Sequence, residues 1–263
     1  MKEIKSIRKD KGTQYIVTFL DSDTLKVNED VLVKFRLHKG MQLSEKEYES
    51  IKKEANFQVG FQIALRYLDF QMRSEFELRL HLKQKEIENR TQIIERLKEL
   101  NYINDELFAQ SFVRTQKNTS DNGPQKIKYL LKQKGVAPEV IEFALDEFPE
   151  DEQNASALRL AEKLVRKYAN KSYRENLQKT RLALMNKGFY SDAIQFALEN
   201  VEIEEDDERQ VELLMKETEK LWHKYRKLEG YRKYMKVKQS LYQKGFELDA
   251  INYAIEEVKL ADE

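Results

Sequence analysis

Two hydrophobic rhythms divide this chain. Through the first forty or so residues, apolar and polar positions alternate, the period of a half-buried strand. The stretch YIVTFLDSDTLKVNEDVLVKF, Tyr15–Phe35, is rich in Val, Thr, Phe and Tyr. It predicts strands at Ile4–Ile7, Tyr15–Leu20 and Thr24–Val27, joined in a small antiparallel sheet with a turn at Asp21–Asp23. From Leu43 the period changes to that of an amphipathic helix. LSEKEYESIKKEA opens the helical part, and Ser44 with Glu47 has the spacing of a capping box.

Within the helical part, one unit is written three times. KIKYLLKQKGVAPEVIEFAL (Lys126–Leu145) returns as KTRLALMNKGFYSDAIQFAL (Lys179–Leu198) and as KVKQSLYQKGFELDAINYAI (Lys236–Ile255). Each copy opens on a basic pair: Lys126/Lys128, Lys179/Arg181, Lys236/Lys238. Leu131, Leu184 and Leu241 each stand three residues before a Lys-Gly step. Gly135, Gly188 and Gly245 then suit the left-handed residue that ends a helix. In the following helix Ile141, Ala144 and Leu145 recur as Ile194, Ala197, Leu198 and as Ile251, Ala254, Ile255, one apolar stripe whose small Ala admits a close neighbour. LKQKEIENRTQIIERL (Leu82–Leu97) is a diverged fourth copy in which Glu86 replaces the glycine, so its turn is expected to differ. Helical segments within FAQSFVRTQ, LRLAEKLVRKYAN and VELLMKETEKLWHKYRKL complete three helices per unit. Three short helices bury little alone, so units are expected to stack. The fold class expected is mainly α, an elongated curved array of tandem three-helix repeats with a small N-terminal antiparallel β element. The boundaries expected are a β element at 1–40, a connecting helix at 41–59, and repeats at 60–104, 105–150, 151–203 and 204–263.

Composition narrows the chemistry. Lys+Arg and Asp+Glu are both 47, yet the charges are not evenly spread. Residues 159–181 hold eight basic and two acidic residues, and 216–244 hold ten and three, while VEIEEDDERQVE (Val201–Glu212) holds seven acids and one Arg. Basic faces separated by acidic junctions are expected. The absence of cysteine excludes disulfides and thiolate chemistry and suits a reducing cytoplasm. No apolar run approaches the roughly 20 residues of a membrane span. His38, His81 and His223 are scattered without metal-ligand spacing, and no phosphate-cradling glycine loop occurs. Trp222, within KLWHKYRKL, reads first as a packing residue. No catalytic constellation, cofactor or metal site is expected, and the protein is read as a non-enzyme. Paired helices joined by a tight turn also resemble helix-turn-helix units, which often meet phosphate through Lys and Arg.

The stretch from Arg73 to Val136 is more specific. Arg73-Ser74-Glu75-Phe76-Glu77-Leu78 opens a helix with capping-box spacing at Ser74 and Glu77. NYINDELFAQSFV follows at Asn101–Val113, and Gly123-Pro124 then precedes KIKYLLKQKGV. In this order the motifs resemble those of the RecX family, regulators of the RecA recombinase. The strand-rich start and charged helical tail resemble its longer Gram-positive versions, so the likeness spans essentially the whole chain. Asn101 stands where that family has Gly, and Asn tolerates the left-handed conformation such a turn requires.

The resemblance implies a cytoplasmic, monomeric regulator that binds the RecA filament and suppresses RecA's ATPase, co-protease and strand-exchange activities, with roles in DNA repair, homologous recombination and the SOS response. It also implies a position in the groove of the RecA–DNA filament, with single- and double-stranded DNA as further partners and no membrane. The alternatives are a general DNA-binding repeat protein acting without RecA and a purely structural scaffold. Candidate contacts to RecA or DNA are Arg73, Arg79, Lys126, Lys128, Lys132, Arg166, Lys167, Arg174, Lys179 and Arg181. Ser74, Tyr102, Ile103, Phe108, Phe112 and Gly135 match the motif but are read as serving the fold.

Overall fold

The computed structural model describes residues 1–203 and 207–262. Among these residues the protein is mainly helical, with thirteen helices and one four-stranded antiparallel sheet. The chain divides into two compact units: Met1–Ala109 with Leu131–Ile141, and Gln110–Leu130 with the residues from Glu142 onward. The acidic stretch expected at Val201–Glu212 is described except for Glu204–Asp206, and the position expected to open the last repeat, residue 204, lies outside the described residues.

The first unit begins with strands β1 (Lys2–Lys9), β2 (Gln14–Phe19) and β3 (Thr24–Asn28), close to their predicted places. The sheet order is β3-β2-β1-β4, where β4 is the two-residue strand Gln42–Leu43. Two elements here depart from the expectation. Helix α1 (Glu29–Lys34) occupies part of the alternating stretch, because the Asn28 side chain caps the Val31 amide at 3.0 Å and Glu29 and Asp30 fill its first turn. Six residues are too few to show a helical period. Strand β4 exists only through its pairing with Lys2 and Glu3, which no local pattern announces.

The sheet is tied to helix α2 (Glu45–Leu68) by one cluster. The Lys2 ammonium donates to Asp21 at 2.9 Å and to Asp23 at 2.6 Å, and the Tyr48 hydroxyl donates to Asp23 at 2.7 Å. Phe19 meets Tyr48 edge to face at 5.3 Å. Ile4, Val17, Phe19, Val27, Leu43 and Ile51 fill the core beneath. Ser44 and Glu47 form the predicted capping box. Helix α2 then continues without a break through Gly60, where a Cβ would lie 2.5 Å from Ile93 Cδ1. Its far end packs through Ala64 with α3 (Glu75–Gln84) and α4 (Arg90–Glu99), whose Leu78, Leu82, Ile93 and Leu97 are buried.

Helices α5 (Asp105–Thr119), α6 (Pro124–Gln133) and α7 (Pro138–Leu145) follow. In the second unit, α8 (Glu150–Lys167), α9 (Tyr173–Asn186) and α10 (Ser191–Asn200) close around Ala161, Leu184, Phe189, Ile194 and Ala197. Helices α11 (Asp207–Lys224), α12 (Gly230–Gln243) and α13 (Leu248–Asp262) repeat that arrangement with Leu221, Leu241, Phe246, Ile251 and Ala254. Asn176 is buried in α9 and donates to the Val165 carbonyl at 2.9 Å, closing the end of α8.

The recurring Lys-Gly step ends α6, α9 and α12 in one geometry. Gly135, Gly188 and Gly245 have φ of +73°, +84° and +85°. The amides of Val136, Phe189 and Phe246 reach back to the carbonyls of Leu131, Leu184 and Leu241. This is the Schellman turn, with a buried apolar residue just after it. Onto each turn is seated the start of the preceding second helix. Ser74 caps α3 by accepting from the Glu77 amide, and its hydroxyl donates to the Lys134 carbonyl at 2.6 Å. Ser172 does the same at the start of α9, accepting from Glu175 and donating to the Lys244 carbonyl. At the start of α6 backbone replaces hydroxyl: the Gly123 amide donates to the Lys187 carbonyl at 2.7 Å and the Gln125 amide to the Gly188 carbonyl at 3.0 Å. Each contact sets the positive end of one helix dipole against the negative end of another.

The glycines are needed twice over, for their φ and for the space. A Cβ at Gly135 would collide with the Phe76 side chain, one at Gly188 with the Lys126 backbone, and one at Gly245 would sit 2.8 Å from Arg174 Cβ. Glu86 corrects the expectation of a different turn. It adopts φ +57°, and Ile87 bonds back to the Leu82 carbonyl as in the other copies. Its side chain is exposed, and no three-helix repeat precedes it to supply a helix start. A side chain can therefore stand here at the cost of the left-handed backbone alone, about 1–2 kcal/mol. Asn101, at φ +58°, makes the same turn after α4.

Two outcomes are expected. Gly188→Ala adds left-handed strain to a collision and lowers stability by about 2 kcal/mol or more, whereas Glu86→Ala stays within about 0.5 kcal/mol, in chemical denaturation. Equal effects would contradict the seating of α6 on the Gly188 turn. The second outcome concerns pH. Lys2 and Tyr48 hold the Asp23 carboxyl down to about 2, while Asp23 pushes the Tyr48 hydroxyl up to about 12 and raises Lys2 as well. Asp23 thus stabilises fully above about pH 4 and loses its effect toward pH 2, whereas Tyr48 and Lys2 stabilise fully below about pH 10 and lose theirs above it. Amide-exchange protection of β1–β3, corrected for intrinsic rates, should fall between about pH 4 and 2, and Asp23→Asn should flatten that fall.

Candidate partner-binding surface

Cationic side chains gather on the second helix of each repeat after the first. Helix α6 carries Lys126, Lys128 and Lys132 and no acid, and α12 carries Arg232, Lys233, Lys236 and Lys238 and no acid. Helix α9 sets Arg174, Lys179 and Arg181 against Glu175, while in α3 Arg79 and Lys83 are matched by Glu75 and Glu77. Ile127 and Leu131, Thr180 and Leu184, and Val237 and Leu241 take the buried positions of α6, α9 and α12, so the cations occupy the remaining surface.

The ten predicted residues fall into three groups. The first group is engaged with acids. Arg79 pairs with Glu75 at 2.7 Å, Lys179 with Glu175 at 3.5 Å, and Lys128 with Glu142. Burial alone would raise the Glu75 carboxyl, but Arg79 and Lys98 outweigh it and hold it below its usual range. The hydrogen bond to Glu142 raises Lys128 in turn. The second group lies against aromatic rings, where a cation gains from the ring quadrupole. Arg73 stands 4.5 Å from the Tyr67 ring, Lys126 5.1 Å from Tyr129, and Lys167 5.7 Å from Tyr168.

Lys132, Arg166, Arg174 and Arg181 form the third group. All four are exposed, and among the described residues no ion pair or hydrogen bond holds them. Arg166 and Arg174 are brought together in the second unit. They line a cleft of about 1100 Å³ with Lys171, beside the seat of α9 on the Gly245 turn. Ser172, Tyr173, Phe246 and Ala250 form part of its wall. Arg209 is a fourth cation of the lining, and Glu162, Glu202 and Glu247 set carboxylates among these cations, so the cleft is mixed in charge.

Other expectations were met or corrected by side-chain positions. His81 stacks on Tyr67 at 3.9 Å, and burial, then Lys85 and Arg73, lower its pKa. Trp222 donates from Nε1 to Asp262 at 2.9 Å and carries the Lys233 ammonium 3.9 Å from its ring, so it serves contacts within its own repeat. Ser74, Ile103 and Phe108 are buried, as residues serving the fold should be, but Tyr102 is 56% exposed. Reasoning from sequence passed over Ser172, although it stands before α9 as Ser74 stands before α3. It also passed over Arg232 and Lys233, which lie in the strongly basic stretch 216–244. Among the described residues no group of three His, Asp or Glu could hold a metal ion, and no helix is long and apolar enough to cross a membrane.

Comparison with known proteins accounts for nearly all of this helical architecture. Family models described as the first and second three-helix domains of RecX match residues 61–99 and 104–145. The model for the third such domain matches twice, at 150–198 and 207–255. A protein of Enterococcus faecalis named Regulatory protein RecX is 44% identical over 259 residues, covering 98% of this chain and 97% of its own. One of the same name from Bacillus subtilis is 37% identical over 250 residues, covering 94% and 95%. A crystal structure of regulatory protein RecX superposes with a TM-score of 0.66 at 32% identity, covering 76% of this chain and 100% of that one. RecX from Lactobacillus salivarius gives a TM-score of 0.54 at 36% identity, covering 56% and 96%.

Proposed function

The chain belongs to the RecX family, and from that premise we propose that it is a regulatory protein that binds the RecA recombinase and its DNA filament and mainly inhibits RecA's ATPase, strand exchange and co-protease activity. The observation that carries this reading is the ordered run of three-helix domains from residue 61 to 255, shared at near full length with proteins named as regulators. In this reading the protein is a cytoplasmic monomer without cofactor. It comprises a β element (1–40), a connecting helix (41–59) and four repeats, 60–104, 105–150, 151–203 and 204–263. The ten cations named above are its candidate contacts to RecA and DNA. Lys132, Arg166, Arg174 and Arg181 lead that set because no ion pair with an acid among the described residues has to be broken before they meet a partner.

The same four free cations, together with the basic α12, favour a second reading as a DNA-binding repeat protein that acts without RecA. Phosphate neutralisation would then dominate, and affinity for bare DNA would fall steeply with salt.

At stoichiometric amounts the protein should slow RecA's DNA-dependent ATPase and strand exchange several-fold. RecA activities left untouched would sink the leading reading. Reversing Lys132, Arg166, Arg174 and Arg181 to Glu should weaken filament binding at least tenfold, far more than reversing the acid-paired Arg79, Lys128 and Lys179. Should the second reading hold instead, wild type binds bare single strands tightly. Each lost phosphate contact then flattens the plot of log affinity against log salt by about 0.7.

A further inference from the structure

The third helices carry a feature opposite to that of the second helices. In repeats two, three and four one aromatic recurs in register, between the buried Ile and Ala of the stripe: Phe143, Phe196 and Tyr253. All three point outward, 58%, 39% and 64% exposed. A large ring left in water three times over, at one position of a repeated unit, is not required by the fold. The stripe on the opposite face already buries Ile194 and Ala197, or Ile251 and Ala254.

The surroundings of these rings also recur. The fourth residue before each aromatic is acidic (Glu139, Asp192, Asp249), and so is the third residue after it (Asp146, Glu199, Glu256). On α10 and α13 these spacings put both acids on the aromatic's own face. No basic residue occurs in α7 or α10, and α13 has only Lys259, which pairs with Glu256. Among the described residues Asp146, Asp192 and Asp249 take part in no ion pair. The third helix of the first repeat, α4, carries no aromatic residue, so the feature is confined to repeats two to four.

We propose that the exposed aromatics Phe143, Phe196 and Tyr253, each flanked by acids, form a docking surface for a protein partner that presents Lys or Arg side chains. A cation held over a ring face and met by carboxylates on either side gains both cation–π and Coulomb attraction. Nucleic acid is a poor occupant, because the same carboxylates repel phosphate. The inference rests on the function proposed above and deepens it. The acidic aromatic face meets the recombinase protein, and the basic second helices meet whatever is anionic in the filament. Three equivalent contacts suit a polymer of identical subunits, since linked weak sites add by effective concentration.

The test compares wild type with Phe143→Ser/Phe196→Ser/Tyr253→Ser and with Asp192→Asn/Glu199→Gln/Asp249→Asn. Binding is measured to RecA filaments on single-stranded DNA and to the bare strand. These side chains are exposed, so unchanged circular dichroism and melting are expected, and the second variant alters charge alone. Filament affinity should fall at least tenfold for the aromatic variant and several-fold for the acid variant, with bare-DNA affinity within twofold of wild type. Filament affinity within twofold of wild type for both variants overturns the proposal. So does a parallel loss of bare-DNA binding, which would assign the face to nucleic acid. Wild type that does not bind filaments removes the underlying functional reading instead, and is recognised before any variant is compared.

Discussion

The seating of one second helix on the Lys-Gly turn of the next organises this protein. At each junction a polar start donates to a carbonyl that the helix end cannot satisfy by itself: the Ser74 hydroxyl to Lys134, the Gly123 amide to Lys187, the Ser172 hydroxyl to Lys244. A helix leaves several carbonyls without intrahelical partners, and burying them unmet would be costly. The junction meets that need and aligns two helix dipoles favourably in the same contact. It works only because no Cβ intervenes, which is why three of the chain's eight glycines stand at the same place in the repeat.

That constraint shapes the surfaces. The two ends of a second helix such as α9 are occupied, its buried side is filled by residues such as Leu184, and its cations keep the rest. The third helices of the last three repeats face no such demand at their outer side and carry acids with a single ring. Opposite charges are thereby sorted by helix position instead of by sequence block. A net charge of zero conceals this sorting completely.

Much of the fold could be read before any coordinates. The capping boxes at Ser44 and Ser74, the left-handed glycines, the buried Ile-Ala stripe and the three strands all follow from local chemistry that leaves a mark in sequence. What escaped depends on neighbours far along the chain. The Glu86 turn was expected to differ, because nothing local says that the space above it is open while the space above Gly135 is filled by Phe76. Of the candidate surface, the basic helices were legible from composition and register. Which cations are free was not. Lys128 is taken by Glu142, fourteen positions away across a turn, and Arg166 joins Arg174 only through the packing of α8 on α9.

The junction also bears on how such a chain comes to have its length. Each interior repeat brings its own plug, a capped helix start, and its own socket, a bare glycine turn. The plug varies in chemistry, a hydroxyl at Ser74 and Ser172 and an amide at Gly123, while the socket keeps one geometry. A coding segment for one repeat can then be duplicated in tandem with both new joints already matched. Two consecutive stretches of this chain, 150–198 and 207–255, match a single third-domain model. The side chain of Glu86 marks the one turn that a further unit inserted ahead of the series would first have to strip bare.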